Sequence, residues 1–128
     1  MIQEYDLFEF LKREMYPDLV QSTGTYDAFD CISAMAGHYI ELKCRRTHYP
    51  TLLIEKIKYT HLIQYSAERD LLPFYINSTP LGIYSFDLTE IAEPEWHKQE
   101  MPIVTDFADR GNKMKMVGYL DIKDAIEI

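Results

Sequence analysis

The sequence predicts an α/β (α+β) domain, a central mixed β-sheet flanked by helices. Two observations carry that prediction. Helical and strand periods follow one another in the order helix, strand, strand, helix, strand, strand. The composition is that of a packed core: 47% of the 128 residues are hydrophobic and ten are tyrosine, far from a disordered balance. A chain of this length is read as a single domain spanning 1–128, long enough to bury a core.

Each element has its own signal. From Ile2 to about Met15, Glu4, Phe8, Leu11 and Met15 share one line with Leu7 beside it, an amphipathic helix. Tyr16-Pro17 ends it, because the residue before proline disfavours helical dihedrals. Gln21 to Gly24 reads as loop, Thr25 to Ala34 as a strand, Met35 to His38 as a turn, and His38 to Arg45 as a second strand. Thr51 is a candidate N-cap with Glu55 in the first turn, opening a helix from Leu52 to about Leu71. Leu72–Asn77 and Leu81–Leu88 read as a second hairpin around Ser78-Thr79-Pro80. Glu90–Gln99 reads as a polar connection and Met101–Thr105 as a short extended piece. Asp109 to Asn112 is a turn, Lys115–Leu120 a last strand, and Asp121–Ile128 an acidic tail or helical turn.

The first hairpin carries the chemistry. Side chains alternate faces in a strand, so Glu41 and Lys43 point the same way. A two-residue loop at Ala36-Gly37 places Asp30 opposite Lys43 and Ile32 opposite Glu41, and all three charged groups converge. A one-residue shift of register brings Asp27 to that face instead. Two carboxylates suit a hard divalent cation such as Mg²⁺ or Mn²⁺, and the Leu42 carbonyl is a further candidate ligand. A lysine beside them suits a reacting phosphate, where it orients the attacking water or stabilises developing negative charge.

Asp30 followed by Glu41-Leu42-Lys43 resembles the signature of the PD-(D/E)XK nuclease superfamily, an acid, a variable gap, then Glu-x-Lys. Phe29 stands where that signature often has proline. The element order over roughly Ile2 to Leu88 resembles the superfamily core, with one early strand short or compressed into Asp18–Thr25. The resemblance implies a restriction-endonuclease-like core and catalytic Asp30, Glu41 and Lys43. It also implies a magnesium-dependent endonuclease, small and phage- or resolvase-like, hydrolysing phosphodiester bonds in DNA. Some members carry a further acid on the first helix. Glu4, on the inward stripe, is the candidate and Glu14 the reserve; a helix-start acid favoured by the dipole is the competing reading of Glu4. Some place a glutamine on the helix after the motif, where Gln64 is the positional match.

The net charge of −8 argues against a general nucleic-acid coat protein. Yet between Glu41 and His61, Lys43, Arg45, Arg46, Lys56 and Lys58 stand against Glu41 and Glu55, a local +3. Arg45, Arg46, Lys56 and Lys58 are candidate nucleic-acid contacts, with a solvated mixed-charge face as the alternative. Tyr49 and Tyr59 are candidates for stacking on bases, and His48 and His61 read as packing or surface residues. Cys31 and Cys44 read as free thiols, with no zinc-ligand spacing. No stretch approaches the roughly 20 apolar residues that span a bilayer, and no signal peptide is visible, so the expected location is the cytoplasm, or the host cytoplasm for a viral protein. The expected partner is DNA, with no membrane, and a homodimer where both strands or a branched junction are cut. Two other readings stand: an inactive nuclease-fold module for nucleic-acid binding or assembly, and an acidic protein-interaction domain such as an inhibitor of a DNA-binding partner.

Overall fold

The computed structural model describes residues 3–22, 29–102 and 112–128. Helix α1 (Glu4–Glu14) buries Leu7, Phe8 and Leu11, a stripe at i, i+1 and i+4. Glu4 and Asp6 in its first turn and Lys12 and Arg13 in its last complement the helix dipole. Tyr16 then donates its N–H back to the Leu11 carbonyl, the helix having ended at Glu14, three residues before Pro17.

Strands β1 (Val20–Gln21), β2 (Phe29–Ser33) and β3 (His38–Cys44) run antiparallel in turn. The β2–β3 register pairs Asp30 with Glu41 and Ile32 with Tyr39, not Asp30 with Lys43 and Ile32 with Glu41 as a two-residue loop requires. The loop has four residues, 34–37. Gly37 closes it at φ +74°, a backbone state that favours glycine. Asp18 braces it, accepting from the Ser33 hydroxyl at 2.7 Å and the Met35 N–H at 2.9 Å. These bonds hold the Asp18 carboxyl below its ordinary range, the Met35 N–H foremost. The observed register differs from the expected one by two residues, so every side chain keeps its face.

Strand β4 (Thr51–Glu55) occupies the stretch read as the start of the second helix, and α2 begins only at Lys56 and runs to Glu68. Leu52 and Ile54 are buried while Thr51 is exposed, a period of two. Helix α2 leads to β5 (Leu72–Thr79), which pairs parallel with β3, and β6 (Gly82–Asp87) pairs antiparallel with β5. The last residues of the stretch read as a polar connection, His97–Gln99, open a strand, β7 (His97–Pro102), which takes in the start of the piece read as extended and pairs with β8 (Asn112–Asp121), itself also paired with β4. The end of the chain holds a short 3-10 helix (Ile122–Asp124) and β9 (Ile126–Glu127), hydrogen-bonded to β6. The result is a six-stranded mixed sheet in the order β1-β2-β3-β5-β6-β9 and a three-stranded sheet β4-β8-β7. Asp27 and the turn residues 109–111 lie outside the described residues, as do residues 103–105.

Two cores form on the two faces of the larger sheet. Leu7, Phe8 and Leu11 of α1 pack with Cys31, Ile40, Leu42 and Ile76. Tyr39, Tyr75 and Phe86 pack on the other face with Leu62 of α2 and with Leu52, Ile54 and Leu120 of the smaller sheet. A fully buried leucine such as Leu7 or Leu62 contributes about 2 kcal/mol. Both cysteines are free thiols, and burial pushes the Cys31 thiol up. No helix among the described residues is long and apolar enough to cross a membrane.

Candidate active site

The alternation of β2 and β3 sets Asp30 and Glu41 side by side on the α2 face, opposite Cys31, Ile40 and Leu42 on the α1 face. Both carboxylates are buried, Asp30 at 1% and Glu41 at 4% exposure. Such burial is rare without a partner. Asp30 Oδ2 accepts a hydrogen bond from the Tyr39 hydroxyl at 3.0 Å, and His61 Nε2 of α2 lies 3.5 Å from the same oxygen. Asp30 Oδ1 and Glu41 Oε1 are buried and accept no hydrogen bond from the described residues. Burial raises the Glu41 pKa to about 7; Lys58 and Lys43 oppose the shift, and Asp30 and Glu55 add to it.

Lys43 is exposed on the same face as Glu41, two residues on along β3, and marks the solvent side of the acid pair. Lys58, half-buried on α2, also acts on Glu41 and outweighs Lys43 there. The site is thus two buried acids bordered by two lysines from different elements.

Two orphaned oxygens on neighbouring carboxylates fit a hard divalent cation, which relieves both the repulsion of the pair and the missing hydrogen bonds. Magnesium commonly takes one or two carboxylates and keeps several waters. Among the described residues, no group of three or more His, Cys, Asp or Glu gathers at metal-ligand range. Leu42 turns its side chain into the α1 core, and its main chain is flanked by β2 and β5.

The other sequence candidates scatter. Glu4 stands beside Cys44, on the α1 face of the sheet, away from the Asp30–Glu41 pair; its hydrogen bond and charge add to the burial that raises the Cys44 thiol. Glu14 is exposed at the far end of α1, paired with Arg13 Nε at 3.1 Å. Gln64 is exposed on α2, while His61, three residues earlier, makes the contact with Asp30. Arg45 does not sit free on the surface. Its Nε donates to Asn77 Oδ1 at 3.0 Å and its Nη2 to the Tyr75 hydroxyl at 2.9 Å and to the Leu53 carbonyl. Arg46 and Lys56 are exposed. Tyr59 packs edge-on against Trp96 rather than facing solvent as a stacking platform. Sequence reasoning missed His61 and Tyr39 as partners of Asp30. The available signal was His61 on the inward stripe of α2, next to Leu62 and one turn before Tyr65.

No protein-family model and no curated protein matches this chain. Among solved structures it is similar to Archaeoglobus fulgidus Hjc, a Holliday junction resolvase from an archaeal hyperthermophile. The TM-score is 0.62 at 14% identity, covering 98% of this chain and 88% of that one. With its mixed central sheet between two helices, the chain has a resolvase- or restriction-endonuclease-like fold.

Proposed function

We propose that this chain is a divalent-metal-dependent endonuclease of the PD-(D/E)XK superfamily that cleaves DNA. The observation that carries the reading is the acid pair itself. Asp30 and Glu41 face each other across adjacent strands, each with an orphaned buried oxygen, beside Lys43 and Lys58. The fold shared with Hjc supports DNA as the substrate, a branched junction above all, and a homodimer that presents two such sites. In this reading residues 1–128 act as one nuclease domain in the cytoplasm.

Asp30 and Glu41 would hold the cation, Mg²⁺ or Mn²⁺, which when bound would supply an activated water and neutralise phosphate charge. Tyr39 and His61 fix the Asp30 carboxylate from behind, through the oxygen not left free. Lys43, on the exposed side, meets the phosphate and offsets the charge that develops on it. Lys58 keeps Glu41 closer to its ionised form, the form that binds a cation.

A specific observation favours a second reading. Asp30 is 1% exposed and Glu4 is on the other face of the sheet, which suits a fold retained for nucleic-acid binding or assembly without turnover. The test is cleavage of labelled duplex, single-stranded, flap and four-way-junction DNA with Mg²⁺ or Mn²⁺, beside Lys43→Ala and Glu41→Gln. Metal-dependent cutting that both variants lose is expected. Cutting that survives Lys43→Ala removes that lysine from the mechanism, and no cutting by folded wild-type protein selects the second reading. Sedimentation at twice 15.1 kDa is expected for the dimer.

A further inference from the structure

A cleft of about 740 Å³ lies between the segment joining β3 to β4 and the β7–β8 ribbon. Its lining includes Arg45, Arg46, Tyr49, Leu53, Gln99 and Tyr119. Two arginines and no carboxylate line it, in a chain whose net charge is −8. Its volume falls in the range of about 300–1,000 Å³ typical of small-ligand sites. We propose that this cleft binds an unpaired segment of a DNA strand, phosphate to the arginines and base to the tyrosines.

The side chains are arranged for that ligand. Arg45 is held by Asn77, Tyr75 and Leu53 through Nε and Nη2, so its charge is fixed before any ligand arrives. Arg46 is exposed beside it. Tyr49 is 59% exposed, an unusual state for a tyrosine packed only for stability. Tyr119 is exposed too, yet its ring is oriented: the hydroxyl donates to Gln99 Oε1 at 2.6 Å, and His97 stacks on it with ring planes 18° apart. One oriented exposed aromatic and one fixed cation, with a second exposed tyrosine and arginine beside them, suit a single strand, since every base offers a face for stacking. Paired bases in a duplex offer no such face without being turned out of the helix.

The cleft reaches the acid pair through one residue. Tyr75 is the β5 partner of Glu41, and its hydroxyl accepts from Arg45 and donates to the Leu53 carbonyl on the cleft wall. A strand in the cleft therefore lies one buried side chain, Tyr75, away from Glu41. That alignment rests on the nuclease reading, whereas binding in the cleft does not.

The experiment is fluorescence anisotropy in chelator, where no cutting occurs, with a labelled short oligodeoxythymidylate, its duplex with oligodeoxyadenylate, and free thymidine monophosphate as competitor. The single strand is expected to bind at least about tenfold tighter than the duplex. Tyr49→Ala and Tyr119→Ala are each expected to weaken it about five- to a hundredfold, and Tyr49→Phe to restore it. Unchanged binding by Tyr49→Ala, at an exposed position where folding is not at stake, overturns the proposal. So does equal affinity for duplex, or displacement by the mononucleotide at the oligomer's own concentration. A failed nuclease reading leaves its own pattern: no DNA is cut with metal, while the anisotropy differences persist.

Discussion

Glu41 carries a stability penalty that doubles as a handle on function. Its folded pKa of about 7 lies above the ordinary 4.5, so the folded state holds more protons between those values. Its contribution to stability is full below pH 4.5 and falls as pH rises toward about 7, by on the order of 3 kcal/mol. Glu41→Gln is expected to abolish that fall and to raise the thermal midpoint above neutrality by roughly 5–10 °C, while losing cleavage. Differential scanning calorimetry from pH 5 to 8 checks it, and added Mn²⁺ should raise the midpoint of the wild type alone. His61 acts through Asp30. His61→Ala is expected to weaken Mn²⁺ affinity by about ten- to a hundredfold in calorimetric titration, with His61→Asn recovering part of it; equal affinity in all three proteins refutes the role. At this scale the shared face of Asp30, Glu41 and Lys43 was legible because strand alternation needs no knowledge of the turn beyond its parity. The pairing partner was not, because a four-residue loop and a two-residue loop give the same faces. His61 was hidden because an imidazole on an inward helical stripe looks like core until the residue across from it is known.

The elements that were legible are those whose own period decides them: α1, the β2–β3 and β5–β6 hairpins, and the body of α2. The two misread stretches take their state from distant partners. Leu52–Glu55 has apolar residues that satisfy a helical start as well as a strand, and pairing with β8, more than sixty residues later, settles it. His97–Gln99 looks like linker because it opens a polar edge strand, paired only with β8. The β8 strand is therefore central to the smaller sheet, and Gly118 is its narrowest point. A Cβ there meets Pro94 Cβ at 2.8 Å and Pro94 Cγ at 2.9 Å, a rigid ring that cannot swing away, with Trp96 next at 3.1 Å. Gly118→Ala is expected to destabilise the protein by about 1–3 kcal/mol. Urea titration followed by the fluorescence of Trp96, the only tryptophan, checks it; an unchanged midpoint shows that the Pro94–Trp96 segment gives way freely.

Across the whole molecule, an excess of acid coexists with cations gathered near the acid pair and the cleft. The acidic remainder opposes indiscriminate association with DNA, and the local cations set how many phosphates are met. If Lys43, Arg46, Lys56 and Lys58 each neutralise one phosphate, the logarithm of duplex affinity should fall with the logarithm of salt at a slope of roughly −3 to −4. Anisotropy titrations across salt concentrations read that slope directly. A slope near zero removes phosphate contact by these cations. The overall charge was legible in the sequence, but its distribution over two sheets was not. Arg45 shows why: read as a free surface cation, it is half-buried on the cleft wall and tied to β4 and β5.

The parallel pairing of β3 with β5 has a kinetic consequence. These two strands cannot meet until the 27 residues between them, 45–71, have looped across, and that loop holds β4 and α2. β4 in turn has no strand partner before β8 arrives. Contacts so distant in sequence slow the search for the native state, and they place the seating of α2 over Asp30 and Glu41 near its end. An interaction made after the rate-limiting step alters how fast a protein comes apart far more than how fast it forms. Raising the pH from about 4.5 to about 7 should therefore shorten the lifetime of the folded molecule and leave its speed of refolding almost untouched.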